Sequence, residues 1–143
     1  MMKFCVILIL SLVIKNSVKG NIIDLNYIRE NYYKAFNDKK LCIQMLKDLK
    51  SLENESVYLA YLGAFQTICA NHFFNPISKL NIFNKGKKNI ELAVDKNPNN
   101  IEIRFIRLSV QKNSPSFLNY KININEDKMF LKKKKTKSIH LYC

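Results

Sequence analysis

Fourteen residues near the middle of the chain, Val57 to Ala70 (VYLAYLGAFQTICA), are apolar around most of a helical circumference. A helix facing solvent on one side carries a polar stripe, so a segment greasy on every side must be packed by neighbours on several sides. That requirement organises the whole fold around one central rod. Gly63 and Ala64 fall in its middle, where small side chains let a neighbouring helix come close. The rest of the chain offers no competing architecture. Glycine and proline number three each, and no stretch alternates strictly enough to specify a strand. The expected class is all-α, with five to six antiparallel helices arranged in hairpins.

The helices can be placed by their stop signals. Asp24 is positioned to cap a first helix with Leu25, Ile28, Tyr32 and Phe36 on one stripe. Asn37-Asp38 makes a turn, with Asp38 as the next cap, and Leu41, Met45, Leu46, Leu49 and Leu52 mark a second amphipathic helix. So brief a connection implies an antiparallel hairpin. After the central segment, Asn75-Pro76 combines an N-cap with proline at the first helical position. The helix that follows is expected from Pro76 to about Lys96, with Ile77, Leu80, Phe83, Ile90, Ala93 and Val94 inward. Gly86 interrupts it at about 1 kcal/mol relative to alanine. Asn97-Pro98-Asn99-Asn100 stops it and caps a fifth helix, Ile101 to about Lys112, with Glu102 in the first turn, where the helix dipole favours a carboxylate. Ser114-Pro115 restarts the chain for a short helix through Phe117, Leu118 and Tyr120. Glu126 to Leu131 provides a last turn or two.

The two ends read differently from this body. Met1-Met2-Lys3 is a basic start, Phe4 to Ile14 an apolar run, and Lys15 to Gly20 a polar stretch ending in a small residue. That is the layout of a secretory signal peptide. The run is about half the roughly 20 residues of a spanning helix, so cleavage before Asn21 is expected and the mature protein does not span a membrane. The expected organisation is a leader over 1–20, one helical domain over 21–131, and a lysine-rich tail over 132–143. The setting is exported, in the periplasm or outside the cell. Lys132-Lys133-Lys134-Lys135-Thr136-Lys137 has no apolar period. Either it is a natural cationic tail without regular structure, or it marks a reading-frame slip in adenine-rich DNA, after which Thr136 to Cys143 carries no design.

The net charge of +13 suggests nucleic acid until it is located. Three lysines lie in the leader and six at the end, leaving fifteen basic against eleven acidic residues between Asn21 and Asp127, a surplus of +4. Basicity is thus largely a tail property, and no nucleic-acid partner is expected. The tail suits a solvated end or a weak contact with anionic lipid or polymer, at about 1 kcal/mol per lysine.

Residues that carry chemistry are sparse. Cys42 and Cys69 are the one cysteine pair within the body; an exported compartment permits their disulfide, and small buried core residues are the other reading. Cys69 and His72 share a helical face and make half a metal site, but zinc needs three or four ligands and no second pair exists. Glu53 with Glu55, and Glu126 with Asp127, read as solvated pairs. No nucleotide-binding loop, nucleophile elbow or metalloprotease helix occurs, so no cofactor and no catalytic residue are assigned. The expected function is non-catalytic capture of a protein or peptide. A small exported enzyme or ligand carrier, with a pocket beside the central helix and His72 as its candidate group, is the alternative. A cationic envelope-surface protein acting through its tail is a third. The expected contact face is Arg104, Arg107 and Gln111, a polar stripe opposite Ile101, Phe105 and Leu108. Its two guanidinium forks suit a partner's carboxylates, or the chain's own Glu91 or Asp95.

One spacing carries a family resemblance. Gly86-x3-Ile90-x2-Ala93-x4-Pro98 places small, large and small residues ahead of a terminating proline, as in the second helix of a tetratricopeptide repeat. Pro98-Asn99-Asn100-x-Glu102 resembles the junction into a following repeat, and Leu62-Gly63 resembles the helix-contact pair of a first helix. The clear match spans Gly86 to Glu102 and implies a degenerate array of about three helical hairpins. The leader, Ala60 to Ala64 and Asn100 to Gln111 together resemble small exported bacterial proteins without an assigned function.

Overall fold

Each stop signal of the body becomes a corner between helices. The computed structural model describes residues 23–140, with side chains to residue 136. The expected leader over 1–20 lies outside the described residues, as do the last three. Within them are six α-helices and no strand: α1 (Leu25–Lys34), α2 (Lys39–Lys50), α3 (Ser56–Cys69), α4 (Pro76–Lys96), α5 (Ile101–Asn113) and α6 (Ile124–His140). Short 3-10 turns over Ala70–His72 and Ser116–Leu118 finish the α3 and α5 corners. Three of the expected caps act through their side chains. The Asp38 carboxylate accepts from Leu41 N–H, Asn75 from Ile77 and Ser78, and Asn100 from Ile103, supplying partners that a helix start otherwise lacks. Asp24 precedes α1 without a side-chain cap bond. Among the described residues no helix is long and apolar enough to cross a membrane.

The central rod is α3. Every residue from Leu59 to Cys69 is buried, and α2, α4 and α5 all pack on it. Its closest neighbour is α4. Gly63 sits against Gly86 and Ile90, and Gly86 against Gly63, Gln66 and Thr67. As residue numbers rise on one helix they fall on the other, so the two run antiparallel. A Cβ built on Gly86 would lie 2.5 Å from the Gly63 carbonyl oxygen, and one on Gly63 would lie 2.6 Å from that of Gly86. Backbone touches backbone here. The glycine that costs helix propensity in α4 is therefore what allows the crossing.

The first, third and fifth helices point the same way. Tyr58 near the start of α3 donates to the Ile23 carbonyl ahead of α1, while His72 beyond α3's end meets the Ala35 carbonyl beyond α1's end. Glu102, at the start of α5, accepts from Arg29 of α1 and Tyr61 of α3. The ends of α1, α3 and α5 consequently gather on one side of the molecule. Cys42, near the start of α2, is disulfide-bonded there to Cys69.

Two expectations about orientation and one about helix length need correction. Phe36, Ile77 and Leu80, expected inward, are exposed, because they stand where the helix ends splay apart instead of over the rod. On α5 the polarity is inverted. Ile101 and Phe105 face solvent, while Arg104, Arg107 and Gln111 are buried. The reason is that α5 has two covered faces: Ile103, Ile106 and Val110 join the apolar core, and α6 covers the arginine stripe. Finally, α6 does not stop at Leu131 but runs on through the lysine tract. Lysine is a good helix former, and the order along α6, Glu126 and Asp127 first and lysines last, suits the helix dipole.

Candidate functional site

Where the ends of α1, α3 and α5 meet the start of α4, they leave a half-open cleft of about 680 Å³. Ile68, Leu80, Phe83, Val110, Pro115 and Leu118 supply most of its apolar wall, and Tyr32 closes the side towards α1. Burial pushes the Tyr32 hydroxyl up to about 12, so it stays protonated throughout the neutral range. Thr67, Asn71, Ser109 and Asn113 add uncharged polar groups, and Lys79, in the first turn of α4, is the one charged lining side chain. Local sequence explains the opening. Pro76 starts α4 directly behind Asn75, and Ser114-Pro115 ends α5 in a 3-10 turn. Each helix therefore swings away just as it clears the core, and the space between is filled by no side chain long enough to close it.

A smaller cleft of about 230 Å³ lies on the other side of Tyr32 and Ser109, beside Arg29, Tyr61, Glu102 and Phe105. Its polar groups satisfy one another. Arg29 Nε and Nη2 donate to the two Glu102 oxygens at 2.8 Å, and the Tyr61 hydroxyl donates to Oε1 at 2.6 Å. Arg29 first, then Tyr61, hold the Glu102 carboxyl below the usual range against the opposing effect of partial burial.

The expected arginine face is engaged within the chain itself. Asp127 of α6 is 0 % exposed and accepts two parallel bonds from Arg107, Nε to Oδ2 and Nη2 to Oδ1, both 2.7 Å. Arg107 Nη1 also donates to Glu91 at 3.0 Å, and the Tyr120 hydroxyl donates to the other Glu91 oxygen at 2.7 Å. Arg104 Nη2 lies 2.6 Å from Glu126, and its Nε is 2.8 Å from Asp127 but off the line of its N–H. Its guanidinium also stacks 4.7 Å from the Phe130 ring centre. Gln111 donates to Asn123, while its own carbonyl oxygen has no partner. Burial opposes the Arg107 charge, but the bonds to Asp127 and the Glu91 carboxylate outweigh it, and its pKa is raised. Of the acids proposed to pair with this face, Glu91 does so; the Glu126–Asp127 pair, read as solvated, is in fact the principal counterion. Two arginines three apart, followed by adjacent acids at the start of the next helix, are the signal that could have shown it.

Cys69 is held in the disulfide with Cys42, and His72 Nε2 lies 2.8 Å from the Ala35 carbonyl oxygen. Neither lines the large cleft, so the pocket beside the central helix does not involve His72. Among the described residues no group of three or more His, Cys, Asp or Glu side chains converges as a metal site would require. Comparison with protein-family models, with curated proteins and with solved structures returns no match for this chain.

Proposed function

We propose that the chain is a non-catalytic binding module whose cleft at the end of α3 holds an apolar ligand chain bearing an acidic head. The observation that carries this reading is the cleft itself. A volume of about 680 Å³ lies within the range of roughly 300–1,000 Å³ of small-ligand sites, which pair apolar walls with a few placed polar groups. Lys79 at its edge supplies the one charge, and an acidic head is its complement. The common direction of α1, α3 and α5, with α4 returning between them, favours the tetratricopeptide-like arrangement of hairpins, in which successive inner helices present a shared binding surface. The signal-peptide layout of residues 1–20 supports an exported setting for this activity.

Calorimetric titration of the full chain with dodecanoate and with dodecanol tests the reading. Dodecanoate is expected to bind, and Leu80→Asp, at an exposed position on the wall, to weaken it at least tenfold without unfolding the chain. Lys79→Ala should remove the preference for the carboxylate over the alcohol. Absence of dodecanoate binding, or binding indifferent to Leu80→Asp, refutes the assignment. Capture of a protein or peptide is the second reading, favoured by the hairpin arrangement; an apolar peptide that displaces dodecanoate would select it.

A further inference from the structure

A second feature is the outer surface of the same end of the molecule, which meets the mouth of the cleft at Phe117 and Lys79 and extends beyond it. The α1–α2, α3–α4 and α5–α6 corners lie side by side there. Their tips carry Phe74, Ile77 and Phe117, which are 100 %, 71 % and 84 % exposed. Phe74 and Phe117 are the two most exposed phenylalanines among the described residues. Large apolar groups gathered at one place on a surface mark an interaction site, whereas isolated ones are ordinary.

The charge around them is one-sided. Lys34, Lys39, Lys40, Lys79 and Lys112 are all exposed at these corners, and Lys39 lies 5.7 Å from the Phe73 ring centre, which ties the first corner to the second. The one acidic residue in these corners is Asp38, and its carboxylate is engaged with Leu41 N–H. Three helix C-termini point here, each worth about half a negative charge, and the α2 and α4 N-termini offset two of them. Five lysines outweigh them, and Lys34 and Lys112 sit in last turns where the dipole favours a cation. At the opposite end Asp24, Glu53, Glu55 and Asp95 are mixed with Lys50 and Lys96, and α6, antiparallel to α5, carries the exposed Lys132 to Lys135 past the α5 start.

We infer that this end docks on an anionic lipid bilayer, with Phe74, Ile77 and Phe117 entering the headgroup region and the five lysines facing lipid phosphates. Aromatic and aliphatic tips ringed by lysines are the composition of an interfacial membrane contact, where apolar insertion and attraction to anionic lipid act together. A protein partner would need acids arranged to match; a bilayer presents anionic charge everywhere and accepts apolar tips at any register. This contact differs from one made by the lysines of α6, and it stands whether or not the cleft binds a carboxylate.

The chain contains no tryptophan, so Phe74→Trp, outside the cleft lining, places a single reporter at the proposed contact. Phe105→Trp places one about 12 Å back from the end of α5, on an exposed control site. With vesicles of phosphatidylcholine containing one-third phosphatidylglycerol, the full chain carrying Phe74→Trp is expected to show a blue-shifted emission quenched by brominated lipid, and the Phe105→Trp chain is not. Lys39→Gln with Lys40→Gln in the Phe74→Trp background should weaken vesicle binding about 25-fold, from roughly fivefold per lysine, and raised salt should weaken it further. Equal response of both reporters assigns insertion to another part of the chain, the leader included, and overturns the inference. So does an equal response to pure phosphatidylcholine. A blue shift without vesicles means that the surface is already covered, by residues 1–22 or by a second copy, and overturns it as well.

Discussion

Replacing Gly86 by alanine sets two well-characterised effects against each other. Alanine is the better helix former by about 1 kcal/mol, so an exposed or loosely packed glycine in the middle of α4 should gain that much stability on substitution. At the crossing with α3 the added methyl would lie 2.5 Å from the Gly63 carbonyl oxygen and 2.8 Å from Thr67 Cγ2. Ordinary contact begins at 3.4 Å, so relief requires a shift of about 0.9 Å. The nearest obstacle is backbone, not the end of a flexible side chain, and α3 is buried from Leu59 to Cys69, so the rod cannot retreat without disturbing its other neighbours. Overpacking of this kind costs about 1–3 kcal/mol, and a backbone obstacle puts it near the top of that range. Gly86→Ala is therefore expected to destabilise by about 2 kcal/mol after the propensity gain is subtracted. In urea, with a slope of about 1–3 kcal/mol/M for a small domain, the midpoint should fall by about 1 M at unchanged slope. Gly63→Ala meets the reciprocal obstacle, and the double variant should lose less than the sum, because the first methyl has already separated the helices. A midpoint that stays put or rises for Gly86→Ala would show that the two backbones are not in contact.

Three further outcomes follow from the same geometry. Asp127→Asn leaves Arg104 and Arg107 facing a neutral group in a buried site, a loss of about 3–5 kcal/mol for a broken buried pair. α6 should then lose hydrogen-exchange protection and be cut by trypsin at its lysines, and unchanged protection would refute the role given to Asp127. Glu102 has a folded pKa below its unfolded one, so its contribution is present above the ordinary glutamate range and is lost as pH falls through the lowered value. Glu102→Gln should accordingly flatten the acid limb of the stability profile below about pH 5, which urea titration at stepped pH would measure. The Cys42–Cys69 bridge spans 27 residues and is expected to contribute about 3.5 kcal/mol by loop closure. Replacing both cysteines by alanine should lower the urea midpoint by more than 1 M, and a smaller drop would mean that the bridge constrains little.

Much of the architecture was legible because it is written locally. Asn75-Pro76 and the proline-asparagine run at 97–100 act through bonds and dihedrals within a few residues, so their effect survives in any surroundings. The apolar circumference of Val57 to Ala70 could be satisfied only by several neighbours. Orientation was less legible wherever a helix has more than one covered side. On α5 the pattern of Ile101, Phe105 and Leu108 competed with that of Ile103, Ile106 and Val110, and period alone does not choose between two stripes of similar apolarity. The large cleft left no periodic trace, since its walls come from the last turns of three helices and the first turn of a fourth.

By itself, then, the order of residues determined that the described body is all-helical, the places where most helices begin and end, and which helix must be central. Capping and hydrophobic periodicity are short-range properties, and they specify those features. Tertiary structure alone decided that α6 would lie over Arg104 and Arg107, that Asp127 would be buried between them, that Cys42 would reach Cys69, and that a cleft would open beside α3. Each of these depends on segments distant along the chain arriving at the same point, and that meeting is set by how rigid rods of fixed length cross at the Gly63–Gly86 contact and turn at their corners.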